Sequence, residues 1–310
     1  MIEIVGAPFD MGGRRLGSRL GPAALRLADI EAVLSEIGFD TADRGDVKLR
    51  KINPKAPGFR GFDSFLGCVT ELRRHVSQVL ENGNLPLVLC GEHTLSVGGV
   101  SAALEKFGAG LAVLWIDAHA DIHTPGSSPS GNIHGMPLAA LRGLSSETEG
   151  VISNQWDRLG LALGAARLER EQISWYALRE AEPAEKERLR DSFVVSMHEI
   201  DRFGVEETVN RLDHHWRNLK ATHVWISFDV DALDPILAPG TGTAVRGGLT
   251  YREAHLLAEL LREKLDMASC PYRLAGVDVV EVNPLVDTCN ETATVAVEWI
   301  ASLLGKRILG

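Results

Sequence analysis

The sequence predicts an α/β fold built on a parallel β-sheet with helices on both faces, and three observations carry that prediction. Short apolar runs alternate with amphipathic stretches along the whole chain. The runs are apolar at successive positions rather than at every second one. Acidic or imidazole side chains follow directly after four of them. A continuous apolar run is what a strand buried on both faces requires, and parallel neighbours need a crossover between them, usually a helix. In such sheets, ligands bind beyond the carboxyl ends of the strands.

Taken in order, strand-like runs fall at Ile2–Ala7, Pro86–Cys90, Leu111–Ile116, Ile173–Ala177, His223–Phe228 and Leu274–Val280. Helical periodicity, with apolar residues three and four apart, spans Pro22–Ile37, Phe62–Glu81, Leu95–Phe107, Pro183–Asp191, Val205–Leu219, Thr250–Leu265 and Glu291–Leu304. Asn53–Phe62 and Thr124–Gly131 read as loops too short to divide domains, and Gly143–Leu159 as irregular. Residues 1–310 are therefore expected to form one domain.

Composition narrows the function classes. The chain has 310 residues, 45% hydrophobic and 24% charged, with a formal net charge of −10. That charge argues against nucleic acid and anionic membrane surfaces as partners. No run approaches the ~18 apolar residues of a membrane span. Met1–Val5 reads as a strand rather than a secretory signal, so cytoplasm is the expected location. Cys68, Cys90, Cys270 and Cys289 are too scattered for a disulfide framework. Cys90, beside His93, reads as a buried apolar residue rather than a soft ligand.

Asp117, His119 and Asp121 stand at alternate positions after Leu111–Ile116, and Asp229 and Asp231 repeat the pattern after His223–Phe228. Residues two apart on an extended chain point the same way, so each cluster can aim several side chains at one spot. Each, taken singly, could be a strand-end cap. With His93 they form four carboxylates and two imidazoles, and burying that much negative charge without cations is prohibitively costly. Two divalent ions, bridged by Asp117 and Asp229 about 3.5 Å apart, would balance it. An oxygen and nitrogen set without thiolate suits Mn²⁺, with Fe, Co, Ni or Zn as alternatives.

The segments Val88–Leu104, Leu111–Leu141 and Ser227–Val245 contain no Lys or Arg. A dinuclear phosphoesterase usually adds cationic donors for phosphate oxygens; their lack here suits a cationic substrate. Glu281 brings another carboxylate to the same edge, where it could pair with a planar guanidinium. His134, in Gly131-Asn132-Ile133-His134-Gly135, could pass a proton to a leaving amine.

Together these segments resemble the ureohydrolase family, most of all its arginase branch. The matching stretches are Gly91-Glu92-His93-Thr94, Asp117-Ala118-His119-Ala120-Asp121, Ser130–Gly135, Ser227–Pro235, Gly247–Glu253 and Glu281-Val282-Asn283-Pro284. The resemblance implies a three-layer αβα sandwich with a central, mainly parallel sheet of about eight strands. It also implies two Mn²⁺ per chain, one held by His93, Asp117, Asp121 and Asp229, the other by His119, Asp117, Asp229 and Asp231. The activity implied is attack of a metal-bridging hydroxide on a guanidino carbon, converting L-arginine to L-ornithine and urea. His134, Glu281 and Asp121 would form the catalytic set. Tail contacts would come from His123, Ser128, Ser130 and Glu182, although His123 stands where an asparagine is usual and Glu182 where an aspartate is usual. Glu92 also replaces the family's aspartate beside the histidine ligand. A homo-oligomer, trimer or hexamer, is implied as well. The alternatives are a relative acting on N-hydroxyarginine, a guanidino acid or agmatine, and more remotely a single-zinc deacetylase or an inactive metal-binding relative.

Overall fold

The structure, a computed structural model, describes residues 1–49, 53 and 56–307. Part of the loop-rich stretch around Pro54 therefore lies outside the described residues. Eight strands form one sheet: β1 Ile2–Ala7, β2 Thr41–Asp46, β3 Leu85–Cys90, β4 Leu111–Ile116, β5 Ile173–Leu178, β6 Phe193–Ser196, β7 His223–Asp229 and β8 Arg273–Val280. Their order is β2-β1-β3-β8-β7-β4-β5-β6, and every pairing is parallel.

Ten helices accompany them: α1 Gly21–Leu27, α2 Ile30–Glu36, α3 Phe62–Glu81, α4 Ser96–Phe107, α5 Pro137–Leu141, α6 Gly150–Ala162, α7 Pro183–Arg188, α8 Met197–Asn218, α9 Tyr251–Asp266 and α10 Glu291–Leu303, among the described residues. The strands send alternate residues to opposite sides, and each side has its own apolar core. Ile4, Leu89, Leu114, Ile226 and Val277 pack against Leu25, Leu34, Leu212, Leu257 and Trp299 of α1, α2, α8, α9 and α10. Val5, Val88, Val113 and Trp225 pack against Phe65, Leu72, Val100, Leu138 and Trp156 of α3 to α6. The result is the expected three-layer sandwich.

The differences from the sequence reading have physical causes. β2 and β6 are the two sheet edges. Thr-Ala-Asp-Arg-Gly-Asp in β2 leaves its side chains half-buried or exposed and carries ion pairs from Arg26 to Asp43 and Asp46. An edge strand needs no apolar run, so the pattern gave no sign of it. β6 is only four residues long. Gly143–Leu159, expected to be irregular, contains most of α6, whose Gln155, Trp156 and Leu159 are buried. Pro22–Ile37 is two helices, broken where Asp29 takes a left-handed φ of 58°. α8 begins at Met197, eight residues before the expected start at Val205, and contains a non-helical Gly204.

The order matters for function because β3, β8, β7 and β4 are neighbours at the sheet centre. Their carboxyl ends deliver His93, Glu281, Asp229 and Asp117 to one crevice.

Candidate metal centre

β7 ends at Asp229 and turns through one 3-10 turn, Val230–Ala232, whose first step is fixed when Asp231 N donates to Asp229 Oδ1 at 2.7 Å. β4 hands over in the same manner, His119 N donating to Asp117 Oδ1 at 2.6 Å. Asp121 sits at φ 53° and Glu281 at φ 65°. Such left-handed backbone is uncommon for residues with a Cβ and is stored where the surrounding structure holds it, often at functional sites. His93 opens a 3-10 turn after β3, and its ring stacks on Trp115 at 3.9 Å between centroids and 4° between planes.

His93 shows why the cluster needs a cation. Its Nε2 lies 2.9 Å from Ser227 Oγ. Ser227 gives its single proton to Asp278 Oδ1, 2.5 Å away, so it accepts from His93 and assigns the proton to Nε2. Nδ1 is then the nitrogen left to face the cluster, buried and without a well-formed hydrogen bond. Yet Asp117 Oδ2, Asp121 Oδ2 and Asp229 Oδ2 surround it at 2.9, 3.1 and 3.1 Å. In the metal-free cluster these carboxylates favour a proton on Nδ1 and, against burial, raise His93 above its ordinary range; a divalent ion would take that proton's place.

A second group adjoins the first. His119 Nδ1 lies 3.3 Å from Asp117 Oδ1 and 3.0 Å from Asp231 Oδ2. The donor atoms divide into His93, Asp117 and Asp229 on one side and Asp117, His119 and Asp231 on the other, with Asp117 common to both. Burial, and then the charge of Asp117, pushes Asp121 up to about 7. Burial and the neighbouring aspartates also raise Asp229 and Asp231, while Asp117 is held below its ordinary range against burial by the two imidazoles. Without cations the cluster would retain protons; hard divalent ions fit the donor set that displaces them.

Glu281 and His134 stand beside this cluster. Glu281 Oε1 accepts from His93 N at 3.1 Å and lies 3.2 Å from His134 Nδ1. Its Oε2 carries no hydrogen bond among the described residues and borders Gly242, where a Cβ would come within 3.7 Å. Burial opposes charge on His134, but the Glu281 carboxylate outweighs it and pushes the imidazole up to about 9. His134 rests on the N-terminal loop at Gly13, where an added Cβ would lie 3.4 Å from its ring. Glu92 holds that loop: buried, it accepts from Gly12 N at 2.7 Å and Gly13 N at 3.2 Å.

The tail residues form the rim. Ser128 and Ser130 lie 3.3 Å apart and accept from Gly131 N and Asn132 N. His123 is buried, its Nε2 3.4 Å from both Glu182 and Glu185. Glu182 is half exposed, as is Glu180, which lies 3.7 Å from His119 Nε2. Arg188 braces the loop through Ser127 Oγ at 2.9 Å and Glu147 Oε1 at 2.9 Å. Cys90 faces the apolar layer of α3 to α6, away from the cluster.

Sequence reasoning missed Ser227, Asp278, Arg179 and Arg188. For two of them a signal existed. Ser227 and Asp278 are polar interruptions inside apolar runs and are direct register partners across β7 and β8. Arg179 and Arg188 carry no local pattern that points to the crevice, and only the crossovers bring them there.

Comparison with known proteins gives a consistent picture. The model of the arginase family matches residues 1–305. An arginase from Staphylococcus aureus (strain COL) is 37% identical over 315 residues, covering 99% of this chain and 98% of its own. Among solved structures, the native arginase of Bacillus caldovelox superposes with a TM-score of 0.88 at 34% identity, covering 99% of both chains. The arginase of Entamoeba histolytica in complex with L-ornithine does so with a TM-score of 0.84 at 25% identity, covering 98% of both. With its sheet order, its two groups of metal donors and these full-length likenesses, the chain belongs to the arginase family.

Proposed function

We propose that this protein hydrolyses the guanidino group of L-arginine to give L-ornithine and urea at a pair of divalent ions, with Mn²⁺ as the fitting metal. The observation that carries the reading is the buried Nδ1 of His93, without a hydrogen bond and aimed into three carboxylates, with the Glu281 and His134 pair beside it. His93, Asp117, Asp121 and Asp229 would hold one ion, and His119, Asp117, Asp229 and Asp231 the other. When bound, such a pair supplies Lewis acidity and a nucleophile at neutral pH.

The chain's own groups do the rest. Glu281 Oε2, beside Gly242, is free to pair with a guanidinium. Hydrolysis breaks the bond between the guanidino carbon and the alkyl nitrogen, so the departing amine must gain a proton. His134 is protonated at neutral pH when pushed up to about 9, which equips it to donate that proton. Asp121, whose Oδ2 lies 3.1 Å from His93 Nδ1, completes the catalytic set as a ligand. Ser128 and Ser130 offer hydroxyls to an α-carboxylate, and half-exposed Glu182 offers a carboxylate to an α-ammonium, with His123 held beneath it. The likeness to an arginase solved with L-ornithine supports the choice of arginine as substrate.

We further infer that residues 1–310 act as one domain, in the cytoplasm, as a homo-oligomer (trimer or hexamer). No helix among the described residues is long and apolar enough to cross a membrane. The decisive experiment compares kcat/KM for arginine, N-hydroxyarginine, guanidino acids and agmatine with Mn²⁺ loaded. Arginine is expected to lead. Agmatine turned over as well as arginine would overturn the substrate, and no urea from any of them would overturn the class.

A further inference from the structure

We infer that Arg179 is a positioning residue for the metal ion on the His119 and Asp231 side, and this rests on the two-ion reading above. Arg179 follows directly on β5. The register of this strand against β6 shifts between Tyr176 and Leu178, where Ala177 adopts φ 69°. A bulge of this kind bends the strand and re-aims the residues that follow. The chain after it turns back over β4 and β7: Arg179 N and Glu180 N both donate to Ala118 O, at 3.0 and 2.9 Å.

The guanidinium then reaches the turn that carries Asp231. Nη2 donates to Asp231 O at 2.5 Å, Val245 O at 2.8 Å and Leu233 O at 3.3 Å; Nη1 donates to Ala232 O at 3.2 Å and Ala177 O at 3.4 Å. Arg179 has no ion-pair partner among the described residues. Its two terminal nitrogens are spent on main-chain carbonyls, three of them on the consecutive residues Asp231, Ala232 and Leu233, while Nε has no hydrogen bond.

A single 3-10 turn leaves its last carbonyls without partners inside the turn. Here Arg179 supplies donors to Asp231 O and to Ala232 O, the latter shared with Leu249 N at 2.9 Å. The same turn places Asp231, which accepts from Ala118 N at 3.2 Å and Thr243 Oγ1 at 3.0 Å and faces His119 Nδ1. Arg179 thus joins the loops after β4, β5 and β7 at the point where His119 and Asp231 must converge. His93 and Asp121 sit on the far side and receive no contact from it. A planar five-donor fork can hold several carbonyls at once, and an ammonium cannot reproduce that geometry.

The inference predicts selective damage. In R179M the affinity for the Mn²⁺ on the His119 and Asp231 side should fall at least tenfold, while the other ion stays within about threefold of wild type. R179K keeps the charge and should show a smaller loss at the same ion. Calorimetric titration of metal-free protein gives both affinities, metal analysis gives the stoichiometry, and circular dichroism reports the fold. H119A serves as the reference that marks which ion is which. Two ions bound by R179K and R179M as in wild type, or equal weakening of both ions, would overturn the role. Should R179M not fold, R179K decides alone. A wild-type chain that binds fewer than two ions overturns both this inference and the two-ion reading, whereas normal wild-type binding with unselective R179 variants sinks only the inference.

Discussion

Asp117 is the residue on which both donor groups depend, since its two oxygens face His93 on one side and His119 on the other. Replacing it by asparagine removes one negative charge and leaves a neutral donor in the middle of the pair. D117N should therefore retain less than one tightly held ion per chain, whereas D121N should lose affinity mainly on the His93 side. Metal analysis after gel filtration separates these outcomes, and D117N keeping two ions would disprove the shared position. His134 makes no contact with a donor atom of either group. H134A should therefore keep its metal and lower kcat by about 10²- to 10⁴-fold, the range of a removed general acid. Unchanged turnover would remove His134 from proton transfer. Asp117 was legible in the sequence because it follows an apolar run directly, His119 and Asp121 because they repeat at alternate positions after it, and His134 because of its Gly-Asn-Ile-His-Gly segment. His93's dependence on Ser227 and Asp278 was not, because a hydrogen-bond chain across two strands needs the register first.

At the scale of elements, that chain is held by how β7 and β8 pack. Trp225 donates Nε1–H to Asp278 Oδ2 and lies fully buried in a slot between two glycines. A Cβ on Gly276 would come within 2.3 Å of its Cζ3, and one on Gly99 within 2.6 Å of its Cζ2. Indole and glycines are thus one fitted unit, and its polar end leads through Asp278 and Ser227 to His93. G276A should destabilise the fold by about 1–3 kcal/mol, the usual penalty for overpacking a filled core. It should also weaken the ion on the His93 side. Chemical denaturation together with metal titration tests this; a wild-type midpoint would mean that the slot relaxes freely. The central strands were readable because burial on both faces forces an apolar run. β2 was not, since its Asp43, Arg44 and Asp46 answer to Arg26 and Glu3 rather than to a core. α6 was hidden because it opens on Gly150 and two β-branched residues, Val151 and Ile152, and buries only Gln155, Trp156 and Leu159.

The whole molecule carries the electrostatic cost of this site. Asp121 ionises near ~3.9 in an unfolded chain, but burial and Asp117 raise it to about 7 in the fold. The unfolded state therefore loses that proton first, and the metal-free fold loses relative stability as pH rises from ~4 through 7. His134 acts in the same direction. Against burial, Glu281 raises it to about 9 from its ordinary 6.5. Its stabilising contribution is complete below ~6.5 and is lost as pH rises through 9. Both groups make the metal-free protein less stable in mild alkali than in mild acid. Cations reverse the trend, because they occupy the cluster in place of protons and bind best where those protons have left. The melting temperature of the metal-free protein should thus be lower at about pH 8.5 than at about pH 6, and saturating Mn²⁺ should raise it more at the higher pH. Scanning calorimetry at the two pH values, with and without metal, measures all four melting temperatures. A larger gain from Mn²⁺ at the acidic value would mean that the carboxylates are already ionised in the empty site. The cluster would then owe its cohesion to its imidazoles rather than to the ions.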